Sequence, residues 1–193
     1  MALFSIKPTI SLKGRRFNGL RGFAGKPFHP PLTDIPVAAY VLAAVFDIVA
    51  FVAGRDSSVD HSFFLAATYT LIAGGVVSLP TALTGFWDWR KSIEPGTQAW
   101  RTANWHMAVM LTVTALVLVD IMVRLAAYDT GFTTVPVLVL SVVIGALVSY
   151  GAAYGGALVY EYGFNVETAG DSPAWHVSDV DLMHGQDRLT SAG

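Results

Sequence analysis

Cysteine is absent from the 193 residues, which excludes disulfides, thiolate-held iron–sulfur clusters and thiol nucleophiles. Charge is almost as scarce: 13% of residues are charged, against about 25% in soluble domains. With a net charge of −2, no nucleic-acid partner is expected. The signatures of common soluble enzymes are missing too, with no phosphate-binding loop, no paired-histidine zinc helix and no serine elbow. No stand-alone catalytic activity or catalytic residue is therefore expected. The first 27 residues contain no continuous apolar core, so no cleavable signal peptide is expected.

What is present is apolar. Hydrophobic residues make up 53% of the chain and the mean hydropathy is +0.52. Four long apolar segments stand out, at residues 35–54, 63–87, 103–125 and 135–160. About 20 residues at 1.5 Å each cross the hydrocarbon core of a bilayer. Backbone polar groups at that depth must pair within the chain, so each segment reads as a helix. Short connections make consecutive helices antiparallel neighbours. The expected fold is an all-α membrane protein, an antiparallel bundle of four transmembrane helices spanning residues 34–164. A basic arm (1–33) precedes it, with Lys7, Lys13, Arg15, Arg16, Arg21, Lys26 and no acid. An acidic tail (165–193) follows, which reads as disordered or peripheral. Pro36 is expected in the first turn of span one, and Pro80 should kink span two.

Every lysine and arginine except Arg55 and Arg124 falls on one face of this topology. The positive-inside rule places that face, with both termini, in the cytoplasm, and the chain in the inner (cytoplasmic) membrane of a cell. Small residues form stripes along spans two and four: Gly74 and Ser78, then Gly145, Ser149, Gly151, Gly155 and Gly156. Such stripes let helices approach closely where no hydrophobic force drives them together.

The polar residues concentrate around residues 81–106, which hold Trp87, Trp89, Trp100 and Trp105. Tryptophan favours the lipid–water boundary. The span count brings His29, Asp34, Asp88, Trp89, His106, Tyr160 and Glu161 to that same face, where His29, Asp88, His106 and Glu161 are expected to converge. Three readings of His29 and His106 stay open. They are interfacial residues bonded to a carboxylate, axial ligands of a haem b, or ligands of another metal. His29 precedes two prolines and can lie outside the regular helix. Met110, one turn from His106, is placed to touch a bound ring. His61, on the opposite face, and His176 and His184 in the tail read as solvated. Asp47 and Asp120 sit deeper, where an ionisable group is functional by default. Asp120 has a partner in Arg124 at i+4. Asp47 has none nearby in sequence, and reads as protonated, bonded to a hydroxyl of another helix, or part of a proton path.

The string HPPLTDIP (His29 to Pro36) with Asp47, then PTALTGFWDW (Pro80 to Trp89), His106, and GGALVYEYGFNV (Gly155 to Val166) resemble, in order, the motifs of a bacterial membrane protein family called domain of unknown function 2231. The resemblance covers about residues 28–166. It assigns His29, Asp34, Asp47, Asp88, Trp89, His106, Gly155, Gly156 and Tyr160 to the family pattern. Some relatives continue into a Rieske-type iron–sulfur domain, which implies membrane redox chemistry for them; this chain has no cysteine to hold such a cluster. Three functions are thus expected of a chain embedded in the lipid bilayer. The first is a redox-associated, b-type-cytochrome-like subunit. The second is a non-catalytic subunit docked to a larger, respiratory-type membrane complex or to copies of itself. The third is a proton or ion path through Asp47 and Asp120.

Overall fold

The computed structural model describes residues 19–20, 27–55 and 57–166. Most of the basic arm, and the acidic tail from residue 167 with His176 and His184, lie outside the described residues. Four α-helices form the bundle: α1 (His29–Ala53), α2 (Ser58–Ser92), α3 (Gln98–Ala126) and α4 (Val135–Tyr160), with a single 3₁₀ turn at Tyr128–Thr130 before α4. Each α-helix is long and apolar enough to cross a membrane. α1 packs on α2 and α4, and α3 on α4. The α2–α3 seam is the loosest of the ring, and α1 lies diagonally across from α3.

On α2, Asp60, Phe64, Ala67, Leu71, Gly74, Ser78, Thr81, Thr84 and Asp88 form the buried series, with Thr68 buried beside Ala67. On α3, Ala103, Val113, Val117, Asp120 and Arg124 are buried and the half-buried His106 and Met110 fill the remaining steps, with Val109 buried beside Met110. Both series advance in steps of three and four, the knobs-into-holes seam of left-handed helix packing. Polar and apolar residues share this inward seam, whereas the outward faces carry exposed Val, Leu and Ile. A bilayer demands this distribution, since lipid tails pair with nothing.

Close approach depends on the small-residue stripes. A Cβ on Gly74 would stand 2.8 Å from Ala39 Cβ and from the Tyr40 ring. In that contact the Tyr40 hydroxyl bonds Ser78 Oγ at 2.6 Å. Gly145 meets Ala44 on α1, and Gly151 meets Val109 and Met110 on α3. Two stripe residues lie elsewhere. Ser149 is exposed, its hydroxyl donating to the Gly145 carbonyl. Gly156 faces only Tyr160 of its own helix.

α1 begins at His29, one and a half turns earlier than the apolar run suggests. Pro30 and Pro31 fit the first turn because N–H groups there have no intrahelical partner. Pro36 therefore lies about two turns into the helix and deprives the Leu32 carbonyl of its usual donor. The Thr81 hydroxyl of α2 lies 3.4 Å from that carbonyl, although its shorter bond is to Val77 O at 2.8 Å. α2 runs on through Pro80 as one helix.

Arg124 organises the end of the bundle where α1 and α3 finish. It is 0% exposed. Its Nε donates to Asp120 Oδ1 at 3.1 Å, and its Nη2 pairs with Asp47 Oδ2. Nη1 lies 3.2 Å from Asp47 Oδ1 and 3.4 Å from Thr68 Oγ1. Thr133, just before α4, donates its N–H to Asp60 Oδ1 at 3.1 Å, and its hydroxyl lies 3.4 Å from Asp47 Oδ1. One guanidinium thus ties three helices and the entry to the fourth. Removing it would leave two carboxylates buried without a counter-ion, which costs about 3–5 kcal/mol. Arg124→Met should lose about that much stability in detergent-titration unfolding. Combining it with Asp47→Asn and Asp120→Asn should restore most of the loss, because no unpaired charge then remains.

Candidate functional site

The opposite end, where α1 and α3 begin and α2 and α4 finish, encloses a cavity of about 760 Å³. His29 and His106 line it from diagonally opposed helices, with Asp88, Trp89, Thr81, Met107 and Met110 among the other walls. Leu83 and Phe86 of α2 and Leu111 of α3 also line it and are exposed. On that side the cavity meets the lipid-facing surface, along the seam where α2 and α3 pack least.

The two imidazoles are held by the same device. His29 Nδ1 lies 3.0 Å from the Thr81 carbonyl, and His106 Nδ1 lies 2.8 Å from the Gly151 carbonyl. A carbonyl only accepts, so each Nδ1 carries the proton and donates it. Four residues beyond each acceptor stands a glycine. A Cβ on Gly85 would fall 2.6 Å from His29 Cε1, and one on Gly155 would fall 3.1 Å from His106 Cε1. Any larger residue would cover the carbonyl that the ring must reach. His29 also approaches Thr84 Oγ1 at 3.3 Å; that hydroxyl donates to Pro80 O and Thr81 O, so it is available as an acceptor. With Nδ1 committed, the lone pair of each neutral ring is on Nε2. Neither Nε2 has a hydrogen-bond partner among the described residues.

Asp88 is buried, and its Oδ1 accepts the Leu20 backbone N–H at 3.0 Å. Phe28 N–H bonds Leu20 O at 3.0 Å, so Leu20 is held at this end through both its N–H and its carbonyl. Trp89 donates its indole N–H to Asn104 Oδ1 at 2.8 Å and stacks on Phe86. The segment after α4 turns back over the cavity through Gly163 and Asn165, both with positive φ. Phe164 N–H caps the Leu158 carbonyl at 2.8 Å, and Phe164, Asn165 and Val166 join the lining.

His29, Asp88, Trp89, His106 and Met110 thus line one cavity. Glu161 and Asp34 do not; both are exposed, and Tyr160 is 89% exposed. The difference is one of helix phase: α4 turns Gly151, Gly155 and Leu158 inward, which points the next residues elsewhere. Asp47 and Asp120 belong to the Arg124 cluster at the far end. His61 is also at that end, exposed, with Nδ1 3.0 Å from the Gly131 carbonyl. Sequence reasoning missed the two carbonyl seats. Their signal was the matched four-residue spacing, Thr81 to Gly85 and Gly151 to Gly155.

The two kinds of glycine give opposite predictions. Gly85→Ala forces the His29 ring off its seat, and overpacking of this kind costs about 1–3 kcal/mol. Gly156→Ala meets only an ordinary van der Waals contact with Tyr160 at 3.9 Å and should be neutral or gain up to about 1 kcal/mol from helix propensity. Unfolding of both variants in one detergent checks the contrast.

A family model described as "Predicted membrane protein (DUF2231)" matches residues 25–168. That region contains all four helices and both histidine seats. No curated protein and no solved structure matches the chain. Four apolar helices, and a family model that covers most of the sequence, make this chain a multi-pass integral membrane protein of the DUF2231 family.

Proposed function

We propose that the protein is a b-type-cytochrome-like membrane subunit whose haem is held between His29 and His106. The observation that carries this reading is the pair of Nε2 lone pairs on one cavity, each ring oriented through Nδ1–H by a main-chain carbonyl. A metal-ligating histidine is oriented in this way, by a partner on its other nitrogen. The cavity volume falls within the roughly 300–1,000 Å³ of small-molecule and cofactor sites.

The donor set favours haem over a bare ion. Among the described residues no three His, Asp or Glu side chains form a metal site, and a bare zinc ion takes three or four protein ligands. A haem brings its own equatorial nitrogens and takes only axial ligands from the protein. Bound there, it would supply one-electron chemistry. The protein's part is to set the two imidazoles, to surround the ring with Met107, Met110, Phe86 and Leu111, and to seal the mouth with Phe164 and Asn165.

Docking to a larger membrane complex is a second reading, supported by the exposed Ser149 and Ala153 on the outer side of α4. Nothing in the Arg124 layer favours ion conduction. Both carboxylates are bound to the guanidinium, and packed Leu71, Val113, Val117, Ile144 and Val148 separate that layer from the histidines. Both termini are proposed to lie in the cytoplasm, on the charge asymmetry of the sequence.

Purified protein expressed with added haem precursor should show a Soret band. His29→Ala and His106→Ala should each lose or shift the band while eluting at the same position on gel filtration. A colourless wild-type protein, or an unchanged spectrum in both variants, overturns the reading.

A further inference from the structure

The turn between α2 and α3, residues 93–97, carries a second recess, of about 420 Å³, lined by Trp89, Arg90, Lys91, Ile93, Pro95 and Trp100. Nothing in the haem reading uses it. Its two cations come from the last turn of α2 and are exposed. Neither Arg90 nor Lys91 has an acidic partner among the described residues, and the Lys91 ammonium rests 5.3 Å from the centre of the Trp87 ring. Glu94, the acid of the same turn, is exposed and does not line the recess.

The walls are rigid and apolar. Trp89 is fixed by its bond to Asn104 and its stack on Phe86. Trp100 sits in the first turn of α3, where its backbone N–H bonds the capping Thr97 Oγ1 at 3.1 Å. Two cations on one recess suit an anion with several acceptor oxygens. Indole, isoleucine and proline walls suit the apolar base of a molecule that is itself anchored in lipid. The turn joins two membrane-spanning helices, so it stands at the depth where phospholipid heads lie.

We propose that this recess binds the phosphate head of an anionic phospholipid, with Arg90 and Lys91 on the phosphate oxygens and Trp89 and Trp100 against the glycerol end of the acyl chains. The site shares the Trp89 and Ile93 walls with the histidine cavity, but its two cations do not line that cavity.

The test uses the full chain in neutral detergent, titrated with phosphatidylglycerol or phosphatidylcholine and followed by native mass spectrometry and thermal unfolding. Phosphatidylglycerol should be retained and should raise the melting temperature; phosphatidylcholine should do neither. Arg90→Gln and Lys91→Gln should each weaken retention about fivefold, the effect of one basic residue at a charged surface. Arg101→Gln removes the same charge from the same face but outside the recess, where its Nη1 donates to Gly96 O, and should leave retention unchanged. An equal loss in Arg101→Gln would overturn the proposal in favour of diffuse surface attraction. Equal stabilisation by inorganic phosphate would overturn it in favour of a free-anion site, and equal retention of phosphatidylcholine would remove the anionic head from the account.

Discussion

Hydrocarbon offers no hydrogen bonds, so each polar group inside the bilayer must find its partner in the same chain. That constraint accounts for most of this structure. The strongest case is Arg124, whose side chain is fully buried in the bundle. Asp120, one turn back on its own helix, meets part of its need. Asp47 of α1 meets the rest, and Thr68 of α2 approaches the same guanidinium. The correct arrangement of these helices is the one that neutralises the guanidinium, so the cluster selects the bundle's register. The loop into α4 is drawn into the same network through Thr133, which serves both Asp60 and Asp47. The desolvation of buried ion pairs offsets much of their attraction, so the cluster is costly to break without being a large net source of stability.

The two ends of the bundle treat the same constraint differently. Around Arg124, donors and acceptors close on each other. At the histidine end they do so only in part. Each imidazole satisfies Nδ1 on a carbonyl exposed by a glycine four residues later, and each leaves Nε2 toward a cavity. A structural histidine with no further task could have both nitrogens paired, as the hydroxyls of this bundle pair with the carbonyls of their own helices. Two helices that supply the same seat for two rings, on one cavity, argue for a shared ligand. Between the ends, Tyr40, Leu71, Val113, Val117, Ile144 and Val148 form a packed apolar layer, so the two polar regions are separate solutions and not one continuous track.

Much of this was legible in the sequence, because the bilayer makes composition informative. Four apolar runs of spanning length fixed the helix count, and an even count placed His29, Asp88 and His106 at one end. The Asp120–Arg124 pair was visible as an i,i+4 spacing. Asp47 was not matched to Arg124, since their partnership joins residues far apart in sequence and depends on how α1 rotates against α3. Rotation is also why Glu161 and Tyr160 were grouped with the site. Both are at the correct depth, but depth is set by residue number, and facing is set by packing that short end segments do not specify. The start of α1 was placed late because hydropathy marks where lipid begins. The helix begins in the aqueous boundary, at a His-Pro-Pro sequence suited to a first turn. The carbonyl seats were hidden for another reason: their glycines read equally well as ordinary helix contacts, which Gly74 and Gly145 are.

Trp89 and Ile93 are shared walls of the histidine cavity and the basic recess, and Trp89 is the one of them that reaches across to α3. Its ring is clamped between a stack on Phe86 and a hydrogen bond from Nε1 to Asn104. Phe86 belongs to α2 and Asn104 to α3, so this single side chain bridges the seam that the rest of the bundle leaves loosest. The bridge lies beside the lipid-facing side of the cavity, marked by Leu83 and Leu111. A lipid head in the recess and a cofactor in the cavity would press on the same α2–α3 contact. The Trp89–Asn104 bond, spanning α2 and α3 at 2.8 Å, is where the two regions meet along that seam.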